Sequence, residues 1–143
     1  MLYLWSDAWL LQALILATKS GPATLSQVIA SADAVNHALP TSDELHGGFS
    51  RLTTGGLIEE IDRCFRITHL VPPDTVSTVV SSGWKQGRQA AEELLGAKSW
   101  TPETNVTDPR NRVIYQGLTL DRIREAEAEY RRTVKIEPSI GNR

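Results

Sequence analysis

Hydrophobic residues recur every three or four positions in three segments of the first half of the chain. This spacing is typical of helices that bury one face. It predicts helices over residues 7–18, from Thr24 to about His37, and from Thr41 to the glycine pair Gly55-Gly56. Glycine readily adopts the positive φ that ends a helix, so this pair is expected to end the third one.

Polar residues at the starts of these segments predict how the helices are capped. Ser6 is expected to cap the first helix, with Asp7 at the positive end of the helix dipole. The second and third helices each begin with a threonine followed three residues later by Gln27 or Glu44, which is the capping-box pattern. Glycine is unfavourable inside a helix, so Gly47-Gly48 predicts close packing against a neighbouring helix.

After the third helix the hydrophobic period changes to that of a strand. Phe65 and Ile67 alternate with the less apolar residues Cys64, Arg66 and Thr68. A period of two residues is typical of a half-buried strand. Residues 57–69 are therefore predicted to form a short antiparallel hairpin that turns at Asp62-Arg63.

The second half of the chain returns to helical spacing. A fourth helix is predicted over about residues 74–96 and a last one from Thr119 to Val134. Between them, residues 97–117 are expected to be an irregular connection, in which residues 113–115 are extended and dock onto the body. The tail, residues 137–143, is expected to fray.

Composition narrows the classes of protein that fit. The chain has 143 residues, 41% hydrophobic and 22% charged, which fits one domain or a small module with an appendage and excludes a wholly disordered chain. Its single cysteine, Cys64, excludes an internal disulfide framework and suits a reducing compartment. The longest apolar stretch, residues 9–17, is too short to span a membrane and lacks an export pattern. We therefore expect a cytoplasmic protein with no membrane partner.

The order of three helices, a glycine pair and a hairpin resembles the winged helix-turn-helix superfamily. The resemblance is carried by residues 9–14, 24–29, 41–52 and 55–68. Arg51-Leu52 and Gly56-Leu57-Ile58 stand where members of that superfamily commonly leave the third helix and enter the wing. The resemblance implies a winged helix-turn-helix domain over residues 1–72 and a helical extension over residues 73–143. The expected fold class is mainly α with a small antiparallel β-hairpin.

The resemblance also implies a transcription-regulator-like, non-catalytic DNA-binding protein. In such proteins the recognition helix enters the major groove, so its outward residues and the wing would contact double-stranded DNA. The contacts expected by position are Ser42, Asp43, His46, Ser50, Arg51 and Thr54 on the helix, and Arg63 and Arg66 in the wing. A homodimer through the N- and C-terminal helices is expected as well, because flanking helices pair many winged-helix regulators.

The charge distribution favours a different use of the same surface. The net charge is −2, and residues 1–73 carry four basic against seven acidic side chains. DNA binding requires clustered Lys and Arg to meet the phosphates. The alternative prediction is therefore a winged-helix protein–protein interaction module that does not bind DNA.

No catalytic, cofactor or metal site is predicted from the sequence. His37, His46 and His69 together with Cys64 match no zinc-ligand spacing. No phosphate-binding glycine loop and no nucleophile elbow is present. Cys64 is expected to be a small buried hydrophobic residue of the hairpin. Trp5, Trp9, Trp84 and Trp100 are expected to be core or interface anchors, with the last two as candidates for the walls of a pocket.

Overall fold

Helices make up most of the structure, and a small antiparallel sheet lies beside them. A computed structural model describes residues 2–97 and 100–141, with side chains described up to residue 134. Within these residues the elements are α1 (Trp5–Ala17), β1 (Ala23–Thr24), α2 (Leu25–Asn36), α3 (Ser42–Thr54), β2 (Ile58–Ile61), β3 (Cys64–Ile67), α4 (Pro73–Ser81), α5 (Trp84–Leu95), a 3-10 helix (Pro102–Thr104) and α6 (Leu120–Gly141). The prediction of a mainly helical chain with a small antiparallel hairpin is confirmed.

The three strands form one antiparallel sheet in the order β1-β3-β2. β2 and β3 are the predicted hairpin and pair along their whole lengths. Asp62 and Arg63 form the two-residue turn, and both have the positive φ that suits such a hairpin turn, 52° and 66°. The sequence does not predict β1, because two residues are too few to show alternation. β1 is held by pairing with β3, where Ala23 lies opposite Phe65.

The starts of α2 and α3 confirm both capping boxes. In α2, the backbone N–H of Thr24 donates to the Gln27 side chain at 2.9 Å, and the Thr24 hydroxyl accepts from the Gln27 backbone at 3.3 Å. Thr41 and Glu44 make the same reciprocal pair in α3, at 2.8 and 3.1 Å. Each box satisfies two backbone N–H groups with side chains that lie three residues apart. It can therefore be predicted from four residues of sequence.

The cap of α1 differs from the prediction. α1 begins at Trp5, and the carboxylate of Asp7 accepts a hydrogen bond from the backbone N–H of Leu4 at 2.8 Å. Ser6 lies in the first turn and is buried, so the prediction that it caps the helix is wrong. The predicted place of Asp7 in the first turn, at the positive end of the helix dipole, is confirmed, and from there its carboxylate also satisfies the backbone donor of Leu4.

The core is built around α1. This helix contacts α2, α3, α4, α5 and β3, and every residue from Ser6 to Ile15 is buried. A helix covered on all sides lies at the centre of a fold, so the single buried face predicted for α1 understates its burial. The close packing predicted at Gly47-Gly48 is confirmed for Gly48, where an added Cβ would lie 2.3 Å from the Leu10 side chain.

The predicted fourth helix is divided in two. α4 ends at Ser81 and α5 begins at Trp84, with Gly83 in an extended conformation between them. The division lets both helices pack against α1, and Val79 of α4 and Ala91 of α5 lie in the same core as the first half of the chain.

The C-terminal helix is longer than predicted. The hydroxyl of Thr119 accepts a hydrogen bond from the backbone N–H of Arg122 at 3.1 Å, which confirms the predicted start. The backbone then remains helical to Gly141, beyond the predicted end at Val134, and the prediction that the tail frays stays a prediction. Residues 142–143 lie outside the described residues.

Apolar residues of the C-terminal helices are buried within the single chain. Val79, Ala91, Leu95, Ile123 and Ala126 all belong to its core. These side chains are part of the apolar faces of the two helices and pack within one chain, whereas Val80, Trp84 and Leu120 are exposed. The homodimer stays a prediction. In the part of the chain that the structure describes, none of the helices is both long and apolar enough to cross a membrane.

Candidate functional site

The residues predicted to contact DNA differ widely in exposure. Ser42, Thr54, Arg63 and Arg66 are exposed, Asp43, His46 and Ser50 are half-buried, and Arg51 is buried. A contact surface requires accessible side chains, so the buried and half-buried members decide what this surface can do.

Arg51 does not face outward, and the prediction that it does is wrong. Its side chain donates two hydrogen bonds to the carboxylate of Asp7, from Nε at 2.6 Å and from Nη2 at 3.1 Å. Its Nη1 donates to the backbone carbonyl of Asn111 at 3.1 Å. Arg51 is 9% exposed and Asp7 is 0% exposed. A buried carboxylate requires a charged, hydrogen-bonded partner, and this requirement explains why Arg51 turns inward.

Residues 111–119, called the strap below, lie across α3 and the hairpin. Tyr115 is the main contact. Its backbone N–H donates to Nδ1 of His46 at 3.1 Å, and its ring centroid lies 5.9 Å from that of Phe49. Its hydroxyl donates to Oε1 of Glu60 at 2.8 Å. The prediction that residues 113–115 dock onto the body is therefore confirmed for Tyr115.

The rest of the strap lies on the surface. Val113 and Ile114 are exposed, Ile114 at 78%, whereas Leu118 is buried in the core. Residues 113–115 form no strand, so the strap makes its contacts through side chains and a few backbone atoms. Only two side chains of the strap, Tyr115 and Leu118, are therefore responsible for most of its packing.

Arg122, in the first turn of α6, ties the end of the strap to the hairpin. Its Nη1 donates to Oε2 of Glu60 at 2.9 Å and to the carbonyl of Gly117 at 2.8 Å. Its Nη2 donates to the carbonyl of Arg63 in the hairpin turn at 3.0 Å. Glu60 thus accepts the Tyr115 hydroxyl on one oxygen and Arg122 on the other. The name α3–hairpin face is used below for the surface that the strap and Arg122 contact, formed by Asp43, His46, Phe49, Glu60 and Arg63.

Most acidic side chains of α3 and the hairpin already have basic partners. The ion pairs are Asp43 with Arg112 at 4.0 Å, Glu59 with Arg66 at 2.5 Å and Glu60 with Arg122 at 2.9 Å. Glu44 takes part in the α3 capping box. Among the described residues, Arg63 is the one arginine of α3 and the hairpin without a carboxylate partner. The arginines of the second half therefore neutralise this surface and do not make it basic.

The environment of Tyr115 changes its acidity. Burial, followed by its hydrogen bond to Glu60 and the negative charge of that carboxylate, raises the pKa of Tyr115 to about 12. Tyr130, whose hydroxyl donates to Asp33 at 2.5 Å, also has its pKa raised to about 12, by burial first and Asp33 second. Both tyrosines are therefore held in the neutral, hydrogen-bond-donating form at pH values where an ordinary tyrosine ionises.

These shifts predict a loss of stability in alkaline solution. A tyrosine in the unfolded chain ionises near pH 10, whereas Tyr115 and Tyr130 ionise near 12 in the folded one. The unfolded state therefore binds fewer protons between these values, and the free energy of unfolding falls as pH rises from about 10 to about 12. Urea unfolding at a series of pH values measures the fall. We expect a smaller fall for Tyr115→Phe, and an identical pH dependence of the variant and the wild type would contradict the assignment.

Within the described residues, the tryptophans, Cys64 and the possible metal ligands do not form a second site as well defined as the α3–hairpin face. Trp100 and Trp5 line a cavity of about 180 Å³, but Trp84 is not part of its wall. Trp84 and Trp100 are 60% and 58% exposed, so neither is a core residue, and their role as interface anchors stays a prediction. Cys64 is half-buried where the sequence predicts a buried residue. In the described ranges, no group of three or more His, Cys, Asp or Glu side chains lies close enough together to bind a metal ion.

Asp43, His46 and Arg63 of the α3–hairpin face are among the contact residues that the sequence predicts, but Glu60 and its contacts with Tyr115 and Arg122 are not predicted. Glu60 lies 55 residues from Tyr115 and 62 from Arg122 in the chain. Hydrophobic periodicity reports local secondary structure and does not show which residues so far apart in the chain come into contact. The one local signal was the apolar segment at residues 113–115 in an otherwise polar connection.

Comparisons with known proteins give no match. No family model, no curated protein and no solved structure matches this chain. A functional proposal must therefore rest on the geometry and the charges of the chain's own residues.

Proposed function

We propose that this chain is a winged-helix protein that uses its α3–hairpin face for protein–protein contact and not for reading DNA. The element order α1, β1, α2, α3, β2, β3 supports the winged-helix part of the proposal, as does the hairpin that follows α3 directly. Because one fold can serve several functions, the function has to be argued from the surface.

The observation that carries the proposal is that the strap already covers His46, Phe49 and Glu60 of this face. The backbone N–H of Tyr115 donates a hydrogen bond to the imidazole of His46, and the Tyr115 ring lies beside Phe49. The guanidinium of Arg122 donates a hydrogen bond to the carboxylate of Glu60. A DNA duplex has no access to these groups while the strap is in place. The face is instead suited to the groups that a polypeptide offers, namely a backbone N–H, an aromatic ring and a guanidinium.

The charges of the surface support the same conclusion. Affinity for a duplex depends on several cations that are available to phosphates. Arg51 is buried against Asp7, and Arg66 is paired with Glu59. Within the described residues, this leaves Arg63 as the arginine of α3 and the hairpin that a phosphate could meet without competition from a carboxylate.

Transcription-regulator-like DNA binding is the second candidate function, and the element order favours it, since helix-turn-helix proteins place a helix in the major groove. In that case Ser42, Ser50 and Thr54 would meet the DNA beside Arg63. A non-catalytic role, a cytoplasmic location and a homodimer accompany both candidates as predictions.

A salt titration with a random-sequence DNA duplex separates the two candidates. We expect the wild-type chain to show no binding by fluorescence anisotropy even at low salt. Arg63→Ala is the matched control, because it removes the available arginine without touching the core. Tight binding that weakens steeply with salt, and weakens further in Arg63→Ala, would contradict the proposal in favour of DNA recognition.

A further inference from the structure

The strap has the properties of an internal ligand. We infer that it occupies, within its own chain, a site on the α3–hairpin face that takes an extended segment of a partner protein bearing arginine and tyrosine. This inference rests on the proposed function and names the chemistry of the partner. Three features of the described residues support it.

The first feature is that the face has a distinct group for each part of such a segment. Phe49 provides an aromatic surface for a tyrosine ring, and Glu60 accepts both the tyrosine hydroxyl and a guanidinium. His46 Nδ1 accepts a backbone N–H. Hydrogen bonds between a guanidinium and a carboxylate are stronger than those between neutral groups. The combination selects an aromatic residue with a hydroxyl and a nearby cation.

The second feature is the shallow attachment of the strap. Apart from Tyr115 and Leu118, its residues are mostly exposed, and it forms no strand with the sheet. Its backbone reaches α3 through one donor, the Tyr115 N–H to His46, and through the carbonyl of Asn111, which accepts from Arg51. Segments with few buried contacts open at a lower free energy than the core. The part of the strap before Leu118 can therefore be displaced while Leu118 and the helical core stay folded.

The third feature is charge complementarity. Asp43 and Glu60 are the carboxylates of the face, and the second half of the chain supplies Arg112 and Arg122 to them. In the strap itself, Arg112 precedes Tyr115 by three residues. Arg122 lies in α6 and keeps its contact with Glu60 when the strap leaves, so a partner that replaces the strap must neutralise Asp43 in place of Arg112, and we expect an arginine about three residues before its tyrosine.

The test uses a labelled peptide of residues 110–124 and the full chain in two forms. The opened form carries Tyr115→Ala and Arg122→Ala, which remove the two donors that bind Glu60, the Tyr115 hydroxyl of the strap and the Arg122 guanidinium of α6. In the wild type the strap competes at the high effective concentration of a tethered segment. We therefore expect the opened form to bind the peptide about tenfold or more tightly than the wild type does, measured by fluorescence anisotropy.

Two controls identify the site of binding. A peptide with alanine in place of Tyr115 and Arg122 should not bind the opened form. Adding Glu60→Gln to the opened form should weaken binding of the original peptide, because it removes the charge that receives the guanidinium. An opened form that is folded by circular dichroism and does not bind the peptide would overturn the inference.

A second measurement applies if the opened form does not fold. Peptide added in excess to the wild type should raise amide hydrogen exchange within residues 111–119 and leave that of α1 unchanged. No change within the strap would overturn the inference. A wild-type dimer that disappears in Tyr115→Ala would also overturn it, since the occupant would then be the strap of a second copy.

The failure of this inference can be distinguished from failure of the proposed function. Salt-dependent binding of duplex DNA by the opened form would contradict the proposed function, whatever the peptide does. Absence of both peptide and DNA binding would overturn the inference alone, because protein contact could then use a part of the surface outside the strap.

Discussion

Replacing Arg51 with alanine is expected to lower the free energy of unfolding by about 3–5 kcal/mol, because it leaves a buried charge without its partner. The carboxylate of Asp7 is 0% exposed and loses two hydrogen bonds in this variant. Among the described residues, the donor that it keeps is the backbone N–H of Leu4. Urea unfolding followed by circular dichroism measures the change.

The matched control for this variant is Arg66→Ala. Arg66 also forms a short ion pair, with Glu59 at 2.5 Å, but both side chains are more than 40% exposed. Exposed pairs contribute about 0–1 kcal/mol, so the control should lose little stability. Equal losses in the two variants would show that Arg51 is solvated in solution and would contradict the buried pair.

Phe49→Ala is expected to have an effect of similar size, about 3–5 kcal/mol, which is typical of a buried phenylalanine replaced by alanine. Phe49 is fully buried, and its ring centroid lies 4.3 Å from that of Phe65 and 5.9 Å from that of Tyr115. One side chain therefore joins α3 to the hairpin and to the strap. Urea unfolding again measures the loss.

Trp84→Ala is the control for Phe49→Ala. Trp84 is a larger aromatic residue, but it is 60% exposed, and substitutions at such positions usually change stability by less than about 1 kcal/mol. A loss for Phe49→Ala no greater than that for Trp84→Ala would contradict the packing of α3 against the hairpin.

The parts of the fold that can be predicted from the sequence are those specified locally. The capping boxes at Thr24 and Thr41 mark the starts of α2 and α3, and two-residue alternation marks the hairpin. Each signal needs only a few adjacent residues, because the hydrogen bonds or the buried face that it reports are made within that segment.

The parts that cannot be predicted depend on contacts between distant residues. Arg51 and Asp7 are 44 residues apart, and only the folded chain shows that one neutralises the other. The sequence places Arg51 on the outward side of α3 by analogy with a DNA-reading helix, and the buried carboxylate overrides that analogy. Glu60, Tyr115 and Arg122 likewise form a site only when the strap crosses the hairpin.

The net charge of the chain takes on a more specific meaning in the structure. The first half of the chain carries an excess of acidic residues. Two of these, Asp43 and Glu60, form ion pairs with Arg112 and Arg122 of the second half. The surface that would read DNA is thus neutralised by its own chain. Arg122 also donates to the carbonyl of Gly117, so the arginine that balances the charge of Glu60 holds the end of the strap as well.

Nuclear Overhauser effects at Tyr115 test most directly the claim that the strap covers the α3–hairpin face. The structure predicts cross-peaks between the rings of Tyr115 and Phe49, and between the Tyr115 amide proton and the imidazole of His46. A Tyr115 ring that shows neither contact and has the chemical shifts of an unfolded chain would contradict the claim.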